Sequence, residues 1–190
     1  MASYYYLVAQ LPYLVYGQDV PISSEDFKAL ARELMSASDA AVLEHCTLDP
    51  DPLKEGETEP AYTEPVHKTS SSLVNEWKKW ERTLRLNLAK GRAQKLKKDI
   101  PADVPDFPDD AALVAKTALV MESPLEAELY LDKARWDIIE NLQGIDIFCE
   151  KAIYGYLLKL LLMERRVMFD ADKGFREYKG LYAAILGEKK

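Results

Sequence analysis

Apolar residues recur at helical spacing through most of this 190-residue chain. The run Ile22-Ser23-Ser24-Glu25-Asp26-Phe27 reads as a helix entry. Ser23 can cap free backbone N–H groups there, with Asp26 three residues on as a weaker relative of the Ser-x-x-Glu box. Phe27, Leu30, Ala31 and Leu34 follow on one helical face, and Ser38-Asp39 restarts a short helix through Val42, Leu43 and Cys46. Ser70 to Lys98 predicts the longest helix. It lacks proline, has the single glycine Gly91, and carries Leu73, Trp77, Trp80, Leu84 and Leu88 at steps of four, three, four and four. That is one continuous apolar stripe, on a rod of roughly 40 Å at 1.5 Å per residue.

Further along, Asp109 or Asp110 can cap a helix over Ala111 to Met121. Ser123-Pro124 sets proline at a first helical position, with Glu126 near the positive end of the dipole, and this helix runs to about Leu142 before Gly144 ends it. Ile145 to Phe169 predicts another helix, apolar nearly all round from Ile153 to Met163, which belongs in the middle of a bundle. A break over Asp170 to Gly174 precedes a final amphipathic helix, Phe175 to Leu186. Tyr4 to Tyr16, interrupted by Pro12, fits a short strand or a broken helix equally well.

Two stretches lack such periodicity. Residues 49–69 are acidic and proline-containing, with few large apolar groups, which predicts a mobile loop. Residues 99–110, with Pro101, Pro105 and Pro108, predict a linker between helical halves. The expected architecture is all-α: one domain over 1–190, an antiparallel helical bundle of long helices with a Pro-rich acidic loop and no internal repeat. Composition agrees with that reading. Apolar types make up 48%, charged types 30%, and there are only 8 glycines, the balance of a globular helical chain.

The net charge is −7, unevenly spread. Residues 1–69 carry −8, residues 70–98 carry +7 and residues 99–190 carry −6. Overall acidity opposes general nucleic-acid binding, which draws its affinity from neutralising phosphates. The basic helix between two acidic regions is the most informative feature. Lys78, Arg82, Arg85 and Arg92 lie broadly opposite the Trp77/Trp80 stripe. They either keep that face wet and pair with acids of the same chain, or form a docking surface for an acidic partner that Arg binds in bidentate fashion. A nucleic-acid or phosphoprotein binding module on helix 70–98 is the alternative that the same cations allow. Trp77 and Trp80 suit the core, and Trp136 fits either a core or an interface anchor.

Reactive constellations are not evident. His45 and His67 have no Cys, His or Asp at ligand spacing, so no metal and no cofactor is expected. No phosphate-binding loop or nucleophile elbow occurs. Cys46 and Cys149 read as reduced, buried thiols of a cytoplasmic protein, since the start of the chain lacks a secretory pattern. Glu122 and Glu126 share a helix face, as do Glu126 and Tyr130. A carboxylate hydrolase built on such groups would need one of them buried with a raised pKa. The longest apolar stretch, Ala152 to Met163, falls short of the about 20 residues that a spanning helix needs. Membrane contact would therefore be indirect, and no small-molecule substrate is expected.

Four segments carry a resemblance: Ser3-Tyr4-Tyr5-Tyr6-Leu7-Val8-Ala9-Gln10-Leu11-Pro12, Trp80 through Ala93, Ser123-Pro124-Leu125-Glu126-Ala127-Glu128-Leu129, and Tyr156 through Arg165. Together they resemble a bacterial family encoded among the subunits of a V-type (A/V-type) ATPase. That family is itself distantly similar to the central-stalk subunit called C, or d in eukaryotes, an all-helical socket between the rotary shaft and the membrane ring. The stretch Leu84-Arg85 through Arg92-Ala93 is similar to the Leu-Arg-rich helices of that socket. The resemblance implies a non-catalytic part of the ATPase, with other ATPase subunits as its partners, peripheral to the inner membrane through the complex. Because the socket protein is longer and built of repeated helical modules, an accessory or partial version of it is as open as a full one. Lys78, Arg82, Arg85, Arg92 and Trp136 are the candidate interface residues.

Overall fold

A computed structural model describes residues 4–52, 65–98, 110–168 and 171–185. Every regular element among them is a helix: α1 (Tyr5–Gln10), α2 (Ser24–Leu34), α3 (Ala37–Leu43), α4 (Ser72–Lys95), α5 (Asp110–Val120), α6 (Pro124–Gln143), α7 (Glu150–Val167) and α8 (Ala171–Ile185). The all-α expectation holds for these residues. Most of the expected mobile loop (residues 53–64) and of the expected linker (residues 99–109) lies outside them.

Serine side chains start four of the helices. Ser23 accepts from the Asp26 N–H at 3.1 Å, Ser36 from Asp39 at 3.2 Å, Ser71 from Val74 at 3.4 Å and Ser123 from Glu126 at 3.3 Å. Each thereby satisfies a backbone donor that the helix itself cannot. The second cap falls on Ser36, two residues before the expected restart. Pro124 occupies the first turn of α6, and Gly144, at φ +72°, terminates that helix. The ambiguous N-terminal run resolves as a helix, α1, which ends before Pro12 with Leu11 in extended backbone.

Two boundaries differ from expectation. The helix expected from Ile145 begins at Glu150. After Gly144, the Asp146 carboxylate accepts from the Phe148 N–H at 2.9 Å and Cys149 is extended, so residues 145–149 form a turn that resets the chain direction. Gly174, expected in a break over Asp170 to Gly174, lies inside α8, which starts at Ala171.

The interior has two parts. The larger core joins α1, α2, α3, α7, the first half of α4 and part of α6, around Leu7, Phe27, Leu43, Trp77, Ile139, Tyr154 and Leu158. The smaller core packs Leu84 and Leu88 of α4 against Ala111, Ala115 and Ala118 of α5 and Leu131 of α6. Small alanines let α5 approach α4 closely. At Gly91 of α4 the Leu119 side chain takes the space that a Cβ would need. Trp80 touches both cores and stacks on Trp77, with ring centroids 6.1 Å apart. Both indoles are satisfied, Trp77 donating to the Thr47 carbonyl at 3.2 Å and Trp80 to the Asp110 carboxylate at 3.0 Å. Helix α7 buries Ile153, Tyr154, Leu157, Leu158, Leu160, Leu162 and Met163, consistent with the all-round apolar pattern of its sequence.

Candidate functional site

Where α4, α6 and the C-terminal half of α7 meet, charged side chains are taken into the interior. Glu81 of α4 and Arg135 of α6 are 6% and 4% exposed. They form a bidentate pair: Arg135 Nε donates to Glu81 Oε2 at 2.9 Å and Nη2 to Oε1 at 3.0 Å. Arg85, one turn along α4, donates through Nε to Glu81 Oε1 at 2.8 Å. On α6, Arg135 Nη1 donates to Asp132 Oδ1 at 3.1 Å. From α7, Arg165 donates to Glu128 Oε2 at 2.9 Å and sits 4.0 Å from Asp132 Oδ1. Planar guanidinium forks suit such multiple pairing, which a lysine could not reproduce.

Asp132 is the tightest point of this node. It is 1% exposed, and its Oδ2 has no hydrogen-bond partner. Burial pushes its carboxyl above the ordinary carboxylate value, against the opposing pull of Arg165 and Arg135. Arg135 is held protonated. Burial works against its charge, but the carboxylates of Glu81, Asp132 and Glu128 together outweigh burial and raise its pKa. Losing either partner would leave an uncompensated buried charge, so the node fixes how three helices sit together.

The cations singled out on the basic helix are spent largely inside the chain. Lys78, its side chain 8% exposed, pairs with Asp51. Arg85 holds Glu81 and also donates to the Leu48 carbonyl at 2.5 Å. Arg82 lines a small groove beside Trp77 and Lys78, and it too has a partner. Arg92 alone of the four is exposed near the end of α4. It opens onto a cleft of about 640 Å³ together with Arg85, Arg135, Arg165, Lys28 and Glu164. Trp136 is 4% exposed. Its indole N–H donates to Glu140 at 2.9 Å, its ring meets Tyr16 edge-on at 5.5 Å, and Lys159 lies over its face at 5.1 Å. Burial lowers the pKa of that lysine, against its bond to Glu140. The structure therefore brings Lys78, Arg82 and Arg85 to one side of α4, puts Arg92 on the rim of the cleft, and takes Trp136 into the core, away from any exposed surface.

Glu81, Glu128, Asp132, Arg135 and Arg165 were missed by sequence reasoning. A local trace existed, in Glu81/Arg85 and Asp132/Arg135 at spacings of four and three, but the decisive pair, Glu81 with Arg135, is 54 residues apart. Other candidate chemistry stays apart. His45 is exposed, and His67 is 3.2 Å from the Pro52 carbonyl. Among the described residues no three potential ligands gather for a metal. Cys46 and Cys149 are free and buried, and burial pushes the Cys46 thiol up to about 12. Glu122 and Glu126 are exposed. Among the described residues the buried, raised carboxyl that a hydrolase would need is present only as Asp132, which is held by arginines and does not line the cleft.

At the opposite end of α7, apolar side chains stand outward. Tyr5 packs against Phe148 with the rings tilted and their centroids 4.1 Å apart, yet is 61% exposed. Ile145 and Ile147, on the turn after Gly144, are 99% and 58% exposed, and Tyr13 is 88% exposed. Tyr13 and Ile147 edge a groove of about 350 Å³ floored by Leu14, Ile153 and Tyr156. No described helix is long and apolar enough to cross a membrane. No protein-family model, curated protein or solved structure matches this chain.

Proposed function

We propose that this chain is a non-catalytic subunit or accessory factor of a V-type ATPase. In this reading it couples or scaffolds the central stalk through helical protein–protein contacts, on the cytoplasmic side of the inner membrane. The observation that carries the reading is the meeting of its four resembling segments. Scattered along the sequence, they come onto neighbouring helices in the fold. Tyr156 of the last donates to the Pro12 carbonyl of the first at 2.8 Å. Arg165 of the last reaches Glu128 of the third at 2.9 Å. Leu84 and Leu88 of the second share the smaller core with α6, the helix that the third segment opens. The segments that resemble the ATPase-associated family thus lie on helices packed against one another, tied by the half-buried Arg165–Glu128 pair and, through Glu81, to Arg135 of α6.

A coupling element needs a stiff body and an adhesive surface. The node of α4, α6 and α7 supplies stiffness, and the end bearing Tyr5, Tyr13, Ile145 and Ile147 supplies exposed apolar area of the kind that marks protein contacts. A nucleic-acid reading is less well supported, because Lys78 and Arg85 are already neutralised by Asp51 and Glu81. The test is capture of the tagged full chain from its host. ATPase subunits should be recovered by the native protein and strongly depleted with Ile145→Asp/Ile147→Asp. Reproducible recovery of unrelated proteins, with no ATPase subunit among them, would overturn the proposal.

A further inference from the structure

Helix α8 is amphipathic and unaccompanied. Among the described residues it makes no extended contact with any other helix, and Phe175, Tyr178, Leu181, Tyr182 and Ile185 are 57%, 60%, 65%, 53% and 81% exposed. A solitary helix of this length is marginal in water, and Gly174 and Gly180 weaken it further. Its stability therefore depends on something covering that stripe.

Phe175, Tyr178, Tyr182 and Ile185 follow one another at three, four and three, the register in which two helices wind together. With Phe175 and Tyr182 as a positions and Tyr178 and Ile185 as d positions, the g positions are Gly174 and Leu181, and the e positions are Lys179 and, ahead of the seam, Asp172. A helix made for a foreign partner writes that choice in charges at e and g. Here the flank carries a single cation, Lys179, which already lies 4.6 Å over the Phe175 ring. In a parallel pair Lys179 would face Gly174 of the second copy, so no like charges meet. The area also suffices for a weak dimer. Aromatic side chains bury about 150–250 Å² each when fully covered; covering the exposed half of three rings, with Leu181 and Ile185, on both copies removes on the order of 1,000 Å².

We infer that α8 pairs in parallel with α8 of a second copy of this chain, like residue on like residue along the Phe175–Ile185 seam. This goes beyond the ATPase reading and stands or falls without it.

The test is sedimentation of the full purified chain from about 1 to 300 µM, the range where an interface of this size associates. The average mass should climb from monomer toward dimer, and Phe175→Glu/Tyr182→Glu should remain monomeric throughout. Under mild oxidation Tyr178→Cys should form a disulfide-linked dimer. Arg176→Cys, which points away from the seam, should not, and neither should the native chain, whose two thiols are buried. A chain that stays monomeric at the highest concentration, including one that pairs only with another protein's helix, overturns the inference. So does association that survives the double variant, or equal cross-linking at positions 176 and 178.

Discussion

Helices α4 and α8 carry apolar stripes at steps of three and four, the first flanked by several cations and the second by Lys179 alone, yet they have opposite fates. On α4 the stripe is covered twice, with Leu73, Val74 and Trp77 in the larger core and Leu84 and Leu88 in the smaller. Its flanking charges are answered by Asp51 and Glu81. On α8 every side chain of the stripe is exposed. Periodicity announces that a face must be covered, but what covers it is decided by elements far away in the chain. For α4 those are α5, α6 and α7, and for α8 no other helix among the described residues serves.

That contrast can be broken in a graded way. The largest effect is expected at the charged node. Arg135→Ala leaves Glu81 with Arg85 alone and Asp132 with only the more distant Arg165, both inside the protein, and should cost about 3 kcal/mol in denaturant unfolding. Next comes the contact between α6 and α7, where a Cβ on Gly155 would run into the Gln143 side chain. Gly155→Ala should cost about 1–3 kcal/mol. In a Gln143→Ala background the clash is gone, and the same change should become stabilising by about 0.5–1 kcal/mol through helix propensity.

A smaller effect should appear in the pH dependence of stability. Burial raises the Asp132 pKa in the folded state, so the native protein keeps that proton to higher pH than the unfolded chain. Its contribution is therefore fully present below the unfolded carboxylate value of about 3.9, and it is lost as pH rises through the raised folded value. Asp132→Asn should flatten that decline in unfolding measurements taken across this window. The smallest effect is expected on α8. Phe175→Ser should move the stability of the dilute monomer by no more than about 0.5 kcal/mol, since the side chain packs on no core.

What the sequence made legible was mostly local. Serine caps, Pro124 and Gly144 act within a few residues, and the helices they bound were readable from them. Tyr5–Gln10 stayed ambiguous because six residues hold too little period to separate helix from strand, and it is Leu7 in the core and Tyr4 bonded to Asp39 that settle it. The turn at 145–149 was hidden because Ile145 and Ile147 look like core residues and are in fact exposed. The node was hidden for the converse reason. Glu81, Asp132 and Arg135 look like solvated charges, and their burial depends on partners brought together by tertiary packing. For Lys78, Arg82, Arg85 and Arg92 the sequence left open the choice between internal pairing and outward docking; Asp51 and Glu81 occupy Lys78 and Arg85 internally, while Arg92 stays exposed.

The central claim is that this helical body is a part of a V-type ATPase, and the most direct measurement is native mass spectrometry of that ATPase purified from the host through one of its other subunits. The account predicts that this chain is present in the intact complex and is missing from it when the host carries only Ile145→Asp/Ile147→Asp. An intact, active complex without this chain, from cells that express it, would contradict the account.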